Sequence, residues 1–138
     1  MARTSWSGPL ASGEGAEAGL VVLSQTGLLN FDATLVQNLS FTVPANSQII
    51  DFRIDVLTAF NSSSSATLTI GTASAGSEYV GSVNAKTAGR AAPTLSAAQL
   101  AAMANVGSNK TITVTVTSVG QPTAGSVRVT PTYVQKGS

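Results

Sequence analysis

The chain has 138 residues, seven basic and six acidic side chains, and no cysteine or histidine. One domain of this length can bury a real core unaided, and the missing residue types exclude disulfide frameworks, thiolate metal sites, cysteine nucleophiles and every histidine-dependent triad. A net charge of +1, with 9% charged and 5% aromatic residues, gives neither a basic surface nor a stacking platform for nucleic acid.

Residues 1–18 form a block of their own. Gly8, Pro9, Gly13 and Gly15 leave no usable period, which predicts an extended N-terminal arm. The arm nevertheless carries Arg3, Leu10 and Trp6, the sole tryptophan. Trp6 either tucks onto its own domain or docks on a partner. Residues 1–19 hold only isolated apolar residues, without the apolar stretch of a secretory signal, and no run approaches the length of a membrane span.

From residue 19 onward the pattern is that of strands. Leu20–Leu23 is a short apolar run closed by the turn signal Gln25-Thr26-Gly27. Leu39, Phe41 and Val43 alternate with polar residues over 35–43, and Pro44–Ser47 breaks the chain. Ile50, Phe52, Ile54 and Val56 alternate with Asp51, Arg53 and Asp55, a half-buried strand. Thr67–Ile70 and Glu78–Val83 follow as further strands around a polar turn and a Gly/Ser/Ala loop. Ser96 and Gln99 then match a capping box, so a short helix is predicted over 96–104, with Leu100 and Met103 on its packed side and Asn105 or Gly107 ending it. Thr111–Thr117 and Val127–Tyr133 close the chain as an expected β-hairpin, in which Pro131 puts its strand at an edge or at a bulge. Short strands with turns every 8–12 residues and no βαβ rhythm predict an all-β fold: an antiparallel β-sandwich, jelly-roll-like, over 19–138, with one helix.

Constellations for chemistry are sparse. Asp51 and Asp55 sit on one face of a strand with Arg53 between them, which reads as a solvated charge ladder or a contact across subunits rather than as an acid–base pair. The Gly71–Ser77 stretch lacks the Lys-Ser/Thr and the helix of a phosphate-binding loop. Lys86, Lys110 and Lys136 lie in loops or at strand ends, and no Gly-x-Ser-x-Gly occurs. Three Asn-x-Ser/Thr triplets, at Asn38, Asn61 and Asn109, read as chance in a chain rich in serine and threonine. No catalytic residue, cofactor or metal ligand is predicted, and the chain reads as no enzyme. Its mean hydropathy is positive while charge is scarce, so the surface must be largely Ser, Thr and Ala. Such a surface suits assembly into a symmetric oligomer or a larger particle.

At this point the residues resemble a family. Arg3–Leu10, the stretch Val43–Ile50 leading through Val56–Asn61 to Leu68–Thr72, and Lys86–Arg90 are similar to small structural proteins of tailed bacteriophages, capsid decoration (cement) proteins first among them. The resemblance implies a non-enzymatic β-sandwich, often a homotrimer, made in the host cytoplasm and bound to the major capsid protein on the outer surface of the virion, with no nucleic-acid or membrane partner. In that setting Arg3, Trp6, Pro9 and Leu10 are the expected capsid contacts of the arm, because Trp and Arg dominate interface energetics. The alternative is a receptor- or glycan-binding module of a tail fibre or head spike. A fibre tip ordinarily follows a long shaft in the same chain, and the expectation here is of a domain without one.

Overall fold

The computed structural model describes residues 21–31, 34–62 and 64–135. The arm expected over 1–18, with Arg3, Trp6, Pro9 and Leu10, lies outside the described residues. Nine strands and one helix follow in the order β1 (Val22–Ser24), β2 (Gly27–Asn30), β3 (Val36–Val43), β4 (Ser47–Thr58), β5 (Ser65–Gly71), β6 (Val80–Asn84), β7 (Gly89–Ala91), α1 (Ala97–Ala104), β8 (Lys110–Val119) and β9 (Ser126–Gln135). All pairings are antiparallel and build two sheets. Sheet A runs β1-β9-β4-β7, with β2 also on β9, and sheet B runs β3-β8-β5-β6.

The strands β1 and β2 share one register on β9, from Val22 opposite Val134 to Asn30 opposite Ser126. They are therefore one strand with an interruption, and Gln25-Thr26-Gly27 is not the turn that its composition suggests. The cause lies opposite, at Pro131. Its carbonyl accepts from the Gln25 N–H at 3.2 Å, but it has no N–H to return. Counting β1–β2 once, eight strands form two four-stranded sheets, and all but the β5–β6 link cross from one sheet to the other. This is the jelly-roll topology.

Three further expectations change. β8 and β9 are not a hairpin: each is an inner strand of a different sheet, and the 120–125 loop arches between the sheets. Gly125, at φ +155°, passes so close to the Phe60 ring that a Cβ there would lie 2.5 Å from it. Pro131 is accordingly on an inner strand rather than an edge. The irregularity it needs appears in both neighbours, as the β1–β2 break and as a register shift in β4 between Ile49 and Asp51. That shift reverses the alternation locally, so Ile49 is buried and Ile50 exposed, the opposite of the simple pattern.

The core lies between the sheets. Phe52, Ile54, Val56, Val127 and Val129 of sheet A face Phe41, Leu68, Ile70, Val114 and Val116 of sheet B, all buried. The helix forms as its capping box predicts: Ser96 Oγ accepts from the Gln99 N–H and Gln99 Oε1 accepts from the Ser96 N–H. Asn105 ends it in extended geometry. Met103 is the buried residue of the helix and Ala102 packs against the core beside it, whereas Leu100 is half exposed, because eight residues present a single narrow stripe to the sandwich.

Candidate functional site

The two outer faces of the sandwich differ in kind. On sheet B, the register sets Asn38, Thr115 and Thr69 in one row across β3, β8 and β5, with Val36, Thr117 and Thr67 in the next. The outward positions of these three strands carry no charge: they are mostly Thr, Ser and Asn, with Val36 and Val119 at strand ends, while the Leu, Ile and Phe side chains turn inward. The 72–79 loop folds back onto this face. The Glu78 carboxylate accepts from the Thr72 N–H at 3.0 Å and from its hydroxyl at 3.2 Å, while the Ala75 N–H donates to Thr115 Oγ1 at 2.9 Å. Those bonds hold the Glu78 carboxyl below its ordinary range, the Thr72 main-chain N–H contributing most. The stretch is a tied surface loop with an anion of its own, which is no place for a phosphate.

Sheet A gathers charge on its outer face. Arg90 of β7, Asp55 of β4 and Arg128 of β9 are direct cross-strand partners in one row. Arg90 Nε donates to Asp55 Oδ1 at 2.7 Å, and Arg128 Nη2 donates to Asp55 Oδ2 at 3.3 Å. The Arg90 hydrogen bond, helped by that of Arg128, keeps the Asp55 carboxyl below its ordinary range despite partial desolvation. Asp55 is buried, so the expected solvated ladder of Asp51, Arg53 and Asp55 is corrected. Asp55 is covered by arginines from the two flanking strands rather than by Arg53, because direct cross-strand neighbours are closer than i, i+2 neighbours on one strand. Arg53, opposite Thr130, has no ion-pair partner among the described residues.

Beside this row a cleft of about 320 Å³ opens between 51–53 of β4 and 90–93 after β7. Asp51, Arg53 and Arg90 line it together with Phe52, Ala91, Ala92 and Pro93. One wall carries a carboxylate already in use: Asp51 Oδ1 accepts from the Phe52 N–H at 2.9 Å. Two guanidinium groups, of Arg53 and Arg90, thus line the cleft beside the Asp51 carboxylate, a set of groups suited to binding. Elsewhere, Lys86 Nζ donates to the Ser62 main-chain carbonyl, and Ser62 Oγ donates to the Ser65 carbonyl at 2.7 Å. The lysine thus braces a turn and does not activate the hydroxyl. Among the described residues, no group of three Asp, Glu, His or Cys side chains comes together.

The asparagines of the three Asn-x-Ser/Thr triplets all have structural contacts. Asn61 Oδ1 accepts from the Thr123 and Ala124 N–H groups, Asn109 Oδ1 from the Ala45 N–H, and Asn38 Oδ1 from the Thr115 and Ser74 hydroxyls. Two of the three tie loops distant in sequence. Arg90 and Arg128 are what sequence reading missed, since they stand 35 and 73 residues from Asp55 and only the sheet order brings them to it.

No family model matches the chain, and no curated protein matches it. Among solved structures, it is similar to a chain of the cyanophage Pam1 capsid asymmetric unit, with a TM-score of 0.54 and 18% sequence identity. The likeness covers 98% of this chain and 99% of that one. At that identity it establishes a shared fold, running end to end through both chains.

Proposed function

We propose that the chain is a non-enzymatic structural protein of a tailed-phage particle, a decoration (cement) protein that binds the outside of the capsid and stabilises the shell. The observation that carries this reading is the end-to-end likeness to a chain of a phage capsid asymmetric unit. The surface agrees with it. Sheet B presents strands whose outward positions carry no charge, part of them under the 72–79 loop, and sheet A presents guanidinium groups suited to binding. The mechanism is burial of surface on several major-capsid subunits at once, so that parting them requires all those contacts to break. A homotrimer adds avidity, which makes modest individual contacts sufficient. Arg3, Trp6, Pro9 and Leu10 are the proposed anchors of the arm, Trp6 filling a pocket and Arg3 pairing with a carboxylate.

The test is the copy number of the chain in purified virions, with its position in the particle imaged. Hundreds of copies on the outer shell are expected, and a handful at the tail or neck would overturn the reading. For the arm, removal of residues 2–12 should leave the β domain folded with little change in melting temperature and abolish attachment to shells. Loss of folding would make Trp6 a core residue instead. For the trimer, light scattering at micromolar concentration reads the mass directly, and a stable monomer with no trimer on the particle would refute it.

A further inference from the structure

The cleft on sheet A lies where no described strand pairs with the outer edge of β4. Pro131 stands opposite Phe52 and turns its carbonyl to Gln25, away from β4. Phe52 therefore aims its own N–H and C=O at the outer edge, since both groups of a strand residue point to the same side. On that edge β7 pairs with 54–56 of β4 and then stops. Continuing its register would set Pro93 opposite Phe52, and Pro93 has no N–H to give. Further along, the Val106 N–H closes the edge again at the Ser47 carbonyl at 3.0 Å. Between these closures, among the described residues, the Phe52 N–H is held by the side chain of its own neighbour, Asp51.

We propose that this cleft binds a short extended stretch of another polypeptide that bears a carboxylate. The incoming main chain takes the Phe52 N–H from Asp51 and donates an N–H to the Phe52 carbonyl, an addition to the sheet edge in the place where β7 ends. Its carboxylate meets Arg53, which is exposed and without an ion-pair partner among the described residues. Arg90 stands beside it, with Nε and Nη2 committed to Asp55. A volume of about 320 Å³ is at the lower end of small-ligand sites, so the occupant is a few residues rather than a full strand. Asp51 guards the edge meanwhile, a charged residue at an open edge being a common device against unwanted pairing. The partner is a foreign segment rather than residues 11–20 of a second copy. That stretch carries Glu14 and Glu17, but Gly13, Gly15 and Gly19 make it a poor strand former.

Titration of the isotope-labelled full chain with the end-capped peptide Thr-Val-Glu-Val-Thr, followed by amide NMR, tests this directly. Saturable shifts confined to the amides of 50–54 and 89–92 are expected. Binding should be about threefold to fivefold weaker when Gln replaces the peptide's Glu, or when the protein carries Arg53→Gln, the range of one exposed ion pair. Asp51→Ala should tighten it. No saturable shift up to millimolar peptide, or equal binding by the Glu and Gln peptides, would overturn the proposal. So would the same shifts from inorganic phosphate at equal concentration, which would make this an anion site only, or stronger binding by a peptide of residues 11–20, which would make the occupant a second copy. None of these readouts involves a virion, so the outcome is separate from that of the decoration reading.

Discussion

Replacing Asp55 by Asn leaves two guanidinium groups flanking one strand of sheet A with no anion between them. The row is nearly ideal in geometry, with Asp55 the direct partner of both Arg90 and Arg128 and donor distances of 2.7 and 3.3 Å. Yet the arginine side chains are 63% and 46% exposed while that of Asp55 is 11% exposed. Solvent therefore screens each pair, and the loss belongs nearer to the surface range than to the several kcal/mol of a fully buried pair. Two surface-type pairs sharing one desolvated carboxylate give about 1–2 kcal/mol for Asp55→Asn, or roughly 3–8 °C in Tm for a domain of this size. The pH dependence has a definite sign. The Asp55 carboxyl is held below its ordinary value in the folded protein, so its stabilisation is full above the unfolded value and is lost as pH falls through the folded one. Urea unfolding of wild type and Asp55→Asn from neutral to acid pH reads both effects, the two proteins converging toward the acid end. A Cm unchanged at pH 7, or a difference that persists undiminished in acid, would refute the reasoning.

Other substitutions test separate parts of the argument. Gly125→Ala puts a Cβ 2.5 Å from the Phe60 ring at φ +155°, so overpacking and backbone strain together should cost about 2–4 kcal/mol in chemical denaturation. Met103→Ala should cost about 2–4 kcal/mol by opening a core cavity, whereas Leu100→Ala, half exposed on the same helix, should stay within about 0.5 kcal/mol. Ser96→Ala removes the cap and should cost about 1 kcal/mol. Glu78→Gln should free the 72–79 loop, read as faster amide exchange at Thr72 and Ala75 with little change in global stability.

The fold class, the strand content and the helix follow from local chemistry. Alternation over 36–43 and 111–117 needs only the two-residue period of a strand, and the Ser96–Gln99 capping box needs only four residues of chain. The same local rules misread the places where a neighbour intervenes. Nothing near Gln25 in sequence says that the residue opposite it is a proline 106 positions away, so a straight strand reads as a turn. Ile50 and Ile49 exchange faces because a bulge follows from the pairing with β9, and the pairing is invisible from the strand alone. β8 and β9 each suit a hairpin, and only the competition of all strands for partners sends them to opposite sheets. The charged face illustrates the limit for binding residues as well. Asp51, Arg53 and Asp55 show themselves in one strand. Sheet order alone brings Arg90 and Arg128 onto Asp55 and leaves Arg53 lining the cleft, because contacts across strands depend on register rather than on sequence distance.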